Sequence, residues 1–77
     1  VNTKLIKFGR RGCAPCAELD QALTAANIEH IAMDVEETPS AAAQYGIMSV
    51  PVIVHHGQKI IGGERCIAYV RSLAGAK

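Results

Sequence analysis

Two cysteines three positions apart, Cys13 and Cys16 with only Ala14 and Pro15 between them, constrain this chain more than any other feature. The stretch before them, residues 3–8, is short and rich in strand formers and ends at Gly9, so it reads as a mostly buried strand. After them, Pro15 suits the first turn of a helix, where a missing N–H leaves nothing unsatisfied. Leu19, Ala22, Leu23 and Ala26 then repeat at the i, i+3, i+4, i+7 spacing of an apolar stripe. The pair therefore stands where a strand hands over to a helix. With the distant Cys66 the chain has three cysteines, an odd and clustered set unlike the framework of a disulfide-stapled secreted domain. Thiols this close together point to redox or metal chemistry.

The remaining pattern is equally regular. The first helix, expected over residues 14–26, stops at Asn27, and residues 28–35 alternate as a second strand that ends in acids. A polar break containing Pro39 leads to a short alanine-rich helix over residues 41–45, closed by Gly46. Residues 51–54 form a third strand, His56 and Gly57 turn the chain, and residues 58–61 return as the fourth strand of a hairpin. Gly62 and Gly63 break that strand. Cys66, Val70 and Leu73, flanked by Ile67 and Ala74, then mark an amphipathic helix over residues 64–73. A strand–helix–strand unit joins parallel strands by a right-handed crossover, and the terminal hairpin adds antiparallel strands to the same sheet. The expected architecture is α/β: a four-stranded mixed sheet, two parallel strands plus an antiparallel hairpin, flanked by about three helices.

Composition excludes several functions. At 77 residues, 49% of them hydrophobic, the chain has the core of one domain, expected to span residues 1–77. Eight Lys and Arg against seven Asp and Glu give a net charge of +1, which supplies no phosphate-tracking field, so no nucleic-acid partner is expected. No apolar run reaches the roughly 20 residues that cross a bilayer, and the start of the chain has no signal-peptide core. The expectation is a cytoplasmic monomer without a membrane partner.

Thiol chemistry needs a thiolate, and an unperturbed cysteine is mostly protonated at neutral pH. At the start of a helix, backbone N–H groups and the positive dipole end favour an anionic sulfur, which makes Cys13 the nucleophile. Arg10 and Arg11 add positive potential that can steer an acidic partner. Cys16, one turn into the helix, faces the protein and is the natural resolving thiol. Gly12, Ala14 and Pro15 shape the turn that carries the pair, Pro15 by stiffening it.

The Cys-Ala-Pro-Cys motif after the first strand, Ser49-Val50-Pro51 at the start of the third, and Gly62-Gly63 before the last helix together resemble the small glutaredoxins and glutaredoxin-like redoxins. These belong to the thioredoxin superfamily, and the resemblance spans nearly the whole chain. It implies a thioredoxin-like fold and a thiol-disulfide oxidoreductase of low potential that holds no bound cofactor. Reducing equivalents would come from glutathione or from NADPH through thioredoxin reductase, and the partners would be disulfide-containing proteins, ribonucleotide reductase or a peroxidase among the candidates. The resemblance also implies a cis Val50–Pro51 bond that presents the Val50 backbone to a substrate beside the cysteines. Read from the residues alone, Pro51 merely begins a strand. Gly62-Gly63 reads locally as a tight turn, and the resemblance adds a backbone that approaches the amino end of glutathione.

The chain departs from the family pattern in several places. Gly12 precedes the pair where thioredoxins carry tryptophan, and Lys7 stands where thioredoxins bury an acid. Glu64, Arg65 and Cys66 occupy the helix start where glutaredoxins place an aspartate. Proline beside the second cysteine is thioredoxin-like, a mixture that is similar to the NrdH redoxins, although the aromatic segment of that group is missing before the last helix.

Other residues have plainer readings. His55 and His56 lie on a strand end, where neighbours point to opposite faces, so joint metal ligation is not expected. Cys66 falls on an apolar stripe as a small core residue, and Tyr45 packs or reaches the site. Asp34, Glu36 and Glu37 read as a solvated strand end, and Glu18, Asp20 and Gln21 as the wet face of the first helix. The rival function is a soft-metal module, since paired thiolates bind copper(I) or zinc. Such domains end in a strand and carry a methionine shortly before the first cysteine, whereas this pattern ends in a helix. A structural zinc site wants four ligands and would require a dimer.

Overall fold

The computed structural model describes residues 4–75, so Thr3, expected to open the first strand, lies outside the described residues. Its elements run β1 (Leu5–Gly9), α1 (Ala14–Ala25), β2 (His30–Asp34), α2 (Pro39–Gln44), β3 (Val52–His55), β4 (Gln58–Ile61) and α3 (Gly63–Gly75). The sheet order is β2-β1-β3-β4. β1 and β2 are parallel, with Leu5 opposite His30 and Gly9 opposite Asp34. β3 runs antiparallel to β1, with Phe8 opposite Val52, and β4 completes the hairpin. Among the described residues no helix is long and apolar enough to cross a membrane.

Both central strands alternate their side chains between two buried layers. Leu5 and Ile53 face α1 and α3, where they pack with Leu19, Leu23, Cys66 and Val70. Phe8 and Val52, opposite one another on the other face, are buried as well, and the Tyr45 ring at the end of α2 lies against Phe8 at 5.6 Å between centroids. Helices thus cover both faces, and Tyr45 serves packing.

Helix ends explain where boundaries differ from the sequence pattern. Asn27 adopts a left-handed φ of 55°, its N–H bonds to the Thr24 carbonyl, and the Ile28 N–H reaches back to Leu23. This Schellman closure holds Ile28 at the helix end, so β2 begins at His30 instead. Gly46 closes α2 in the same way, with the Ile47 N–H on the Ala42 carbonyl. α2 itself starts earlier than expected because Pro39 takes its first turn, where the absent N–H is harmless.

The acids after β2 do more than meet solvent. The Asp34 carboxylate accepts the Glu36 N–H at 2.7 Å and the Glu37 N–H at 3.3 Å, while the Thr38 hydroxyl donates to the Asp34 carbonyl at 2.7 Å. Glu36 and Glu37 are exposed, as expected of a solvated strand end, and Asp34 in addition folds the connection into α2 as an Asx turn.

Leu19 and Leu23 have no exposed surface and tie α1 to the sheet. Leu19→Ala is expected to lower unfolding free energy by about 2–5 kcal/mol through lost burial and the cavity left behind, seen as a lower denaturant midpoint of the oxidised protein.

Candidate active site

The site begins where β1 ends. After Gly9 the chain turns through residues 10–12, with Gly12 at a left-handed φ of 72°, and Cys13 enters extended at φ −104° and ψ 103° as the N-cap of α1. A cap residue needs an acceptor for the orphan amides of the first turn. Here it is sulfur: the Cys16 N–H donates to Cys13 Sγ at 3.3 Å, and the Ala17 N–H to the Cys13 carbonyl at 3.1 Å. No acidic side chain occupies the first turn of α1, so the sulfur meets the positive helix end without a competing carboxylate.

Cys13 and Cys16 are joined as a disulfide, with their Cα atoms 5.2 Å apart. Cys13 is partly exposed, whereas Cys16 is 3% exposed and faces the core. The two sulfurs thus differ in access as the helix start predicts.

Two further segments meet this corner. The Val50–Pro51 bond is cis, Pro51 is fully buried, and its carbonyl accepts the Gly62 N–H at 3.1 Å. Gly62 carries a φ of 103°, which lets the chain turn directly from β4 into α3. At Gly63 a Cβ would stand 2.9 Å from the Pro15 Cβ, so α3 starts against α1 only because this residue has no side chain. The sequence-predicted residues accordingly fall into two groups. Pro15, Gly62 and Gly63 line one groove together with Glu64 and Arg65. Arg10 lines another with Ser49 and Val50. Arg11 turns away toward Glu37, 4.0 Å distant and exposed.

Sequence reasoning missed two features. Met48, beside the Ser49-Val50-Pro51 segment, is 96% exposed, and with the half-exposed Ile61 it borders an apolar groove. Its signal was an apolar residue outside any periodic stripe. The second is Lys7, whose Nζ lies 2.6 Å from Asp20 Oδ1 while its side chain is 8% exposed. Asp20, half-exposed on the wet face of α1 as the sequence reading has it, also holds this buried cation. A lysine in a strand that must be covered requires such a partner, but sequence spacing does not say which acid supplies it.

The histidines also differ from expectation. Their rings lie together, 3.9 Å between centroids, because His56 sits in the turn at φ 51° and no longer obeys strand alternation. His55 Nδ1 bonds the Tyr69 hydroxyl. Among the described residues no group of three or more His, Cys, Asp or Glu side chains is placed to hold a metal ion. Cys66 has no exposed surface, and its thiol donates to the Ile60 carbonyl at 3.2 Å. Burial pushes that thiol up, against a smaller opposing effect of the Ile53 backbone.

No family model matches the chain. It is 37% identical over 51 residues to the SPbeta prophage-derived thioredoxin-like protein YosR of Bacillus subtilis, covering 66% of this chain and 64% of that protein. It is 29% identical over 79 aligned positions to a thioredoxin of Streptomyces clavuligerus, covering 95% of this chain and 65% of the relative. The chain thus spans slightly less than two thirds of the length of these curated relatives. Among solved structures, the thioredoxin-like protein BC3987 superposes with a TM-score of 0.77 at 23% identity over 91% of this chain and 99% of its own. The architecture is the thioredoxin-like fold. In sequence the chain is similar to a thioredoxin and to a thioredoxin-like protein, and it carries a bonded cysteine pair at the start of its first helix.

Two outcomes follow from this geometry. Gly63→Ala drives a methyl group into Pro15 and is expected to destabilise the protein by about 1–3 kcal/mol, read as a lowered thermal midpoint. Because burial raises the Cys66 thiol above its ordinary value of 9.0, the unfolded chain ionises it first as pH rises. Its contribution to stability is complete below pH 9.0 and is lost on the alkaline side. Denaturation across pH 7 to 11 should show this decline, and Cys66→Ala should flatten it.

Proposed function

We propose that the protein is a thiol-disulfide oxidoreductase that reduces disulfides in partner proteins with the Cys13–Cys16 dithiol. The observation that carries this reading is the bonded pair at the start of α1, one sulfur accessible and capping the helix, the other buried behind it. In the dithiol form the Cys13 thiolate attacks a substrate sulfur. A Cys13–substrate bond forms and the substrate's own S–S bond breaks, with the electron pair leaving on the second substrate sulfur, which takes up a proton. Cys16 then attacks Cys13 and releases the first substrate sulfur as a thiol. Two electrons have moved from the protein to the substrate.

The surrounding residues fit substrate binding. Val50 makes no backbone hydrogen bond to another described residue, so its N–H and C=O remain to pair with an extended segment of the partner. Arg10 beside it supplies a cation for an acidic partner or for a glutathione carboxylate, and Arg11 adds to the field at longer range. Gly12, Ala14 and Pro15 hold the pair at the helix start, and Gly62-Gly63 keeps the adjoining groove open. Glutathione or NADPH with thioredoxin reductase would regenerate the dithiol, in the cytoplasm. The missing aspartate at the start of α3 and the thioredoxin-like placement of Pro15 favour the reductase. Disulfide-bearing enzymes such as ribonucleotide reductase are the substrate class this chemistry serves.

The reduced protein is expected to cleave the interchain disulfides of insulin. Cys13→Ser should reduce that rate to background, and Cys16→Ser should leave a mixed disulfide on Cys13 detectable by intact mass. A dithiol form that binds copper(I) stoichiometrically and leaves insulin unreduced would refute the proposal.

A further inference from the structure

Lys7 is the one charged residue buried among the described residues. Its ion pair with Asp20 accounts for how the charge is tolerated and leaves open why a charge is there at all. A buried ion pair is seldom more stabilising than apolar side chains of the same volume, so stability alone does not favour lysine at a position flanked by Leu5 and Ile53. Its location supplies a reason. At Gly9, where the chain presents bare backbone, the point a Cβ would occupy lies 3.4 Å from Cys16 Sγ and 3.4 Å from Lys7 Nζ. The buried sulfur and the buried ammonium therefore border the same point beside a single glycine, which keeps them within about 7 Å of one another, close to the separation at which an opposite charge favours a thiolate.

We propose that Lys7 is a positioning residue for the second half of the exchange, its ammonium, held by Asp20, stabilising the negative charge on Cys16 as that sulfur attacks Cys13. This inference rests on the oxidoreductase reading. Burial by itself disfavours the Cys16 thiolate, and Cys16, unlike Cys13, does not cap the helix. Lys7 supplies from β1 what the helix end supplies to Cys13. The other charged groups bordering the same cleft as Lys7 and Asp20 carry equal numbers of each sign: Arg10 and Arg11 from the turn, Asp34 and Glu37 from the segment after β2. β3 contributes the uncharged Ile53 to this layer and α3 the buried Cys66 thiol. The ammonium, rather than the Asp20 carboxylate, is the charge nearest the point beside Cys16.

The step balances without a further reactant. Cys16 releases its proton to solvent, its electron pair forms the Cys13–Cys16 bond, the bond from Cys13 to the substrate sulfur breaks, and the leaving thiolate recovers a proton. Lys7 gains and loses neither proton nor electron.

The test separates this role from a structural one. In a Cys13→Ser background, site-resolved alkylation of Cys16 against pH gives the midpoint of its ionisation without any turnover. Lys7→Met is expected to raise that midpoint by about one pH unit or more, Lys7→Arg to restore most of it, and Asp20→Asn, which leaves the cation uncompensated, to lower it. In the otherwise intact protein carrying a thionitrobenzoate mixed disulfide on Cys13, Lys7→Met should slow release of the coloured thiol about tenfold at pH 7, with the difference vanishing as pH rises. An unmoved midpoint in Lys7→Met, or shifts of Lys7→Met and Asp20→Asn in the same direction, overturns the role of Lys7. Neither result depends on insulin reduction by the unsubstituted protein, whose absence would instead overturn the oxidoreductase reading.

Discussion

A sulfur atom capping the first helix is the contact around which this molecule is arranged. A helix start leaves backbone amides without partners, and most proteins satisfy them with the oxygen of serine, threonine or an acid. Here Cys13 Sγ accepts the Cys16 N–H instead, so the hydrogen bond that closes the helix end is also the one that favours a negative sulfur. Local stability and reactivity come from the same geometry. Any change that loosened the start of α1 would weaken both.

That corner depends on long-range packing to be usable. α1 is tied to the sheet by Leu19 and Leu23, and the sheet order places β3 beside β1. The segment before β3 therefore arrives next to the turn before α1, which brings Val50 and Pro51 to the level of Arg10. The β4–α3 turn joins from the other side, stitched to Pro51 through Gly62 and seated against Pro15 at Gly63. Three loops far apart in the chain thus meet around the start of α1.

A charge beneath the pair is the least economical feature of the fold. Covering an ammonium is opposed by several kcal/mol of lost hydration, offset here by one short contact to a half-exposed carboxylate. Gly9 matters to this arrangement because any side chain there would enter the space shared by Cys16 and Lys7. The buried thiol of Cys66 contrasts with both site cysteines: it meets no charge, bonds a carbonyl and serves the core.

Element order, the β4 strand, the start of α1 and the reactive pair were legible in the sequence because each follows from local rules. Apolar spacing, a proline tolerated only in a first turn, and glycine at a left-handed position act over a few residues. Asn27 and Asp34 shaped the segments around β2 by particular hydrogen bonds that no periodicity reports, and Pro39 opened α2 early because it has no N–H to satisfy. His55 and His56 came together because one left-handed residue ended the strand alternation between them. Which acid meets Lys7, which loop comes beside Arg10, and how closely α3 approaches Pro15 were decided only by tertiary structure. Those contacts join positions distant along the chain, and their energies depend on distances and dielectric that exist only once the sheet and its helices have packed.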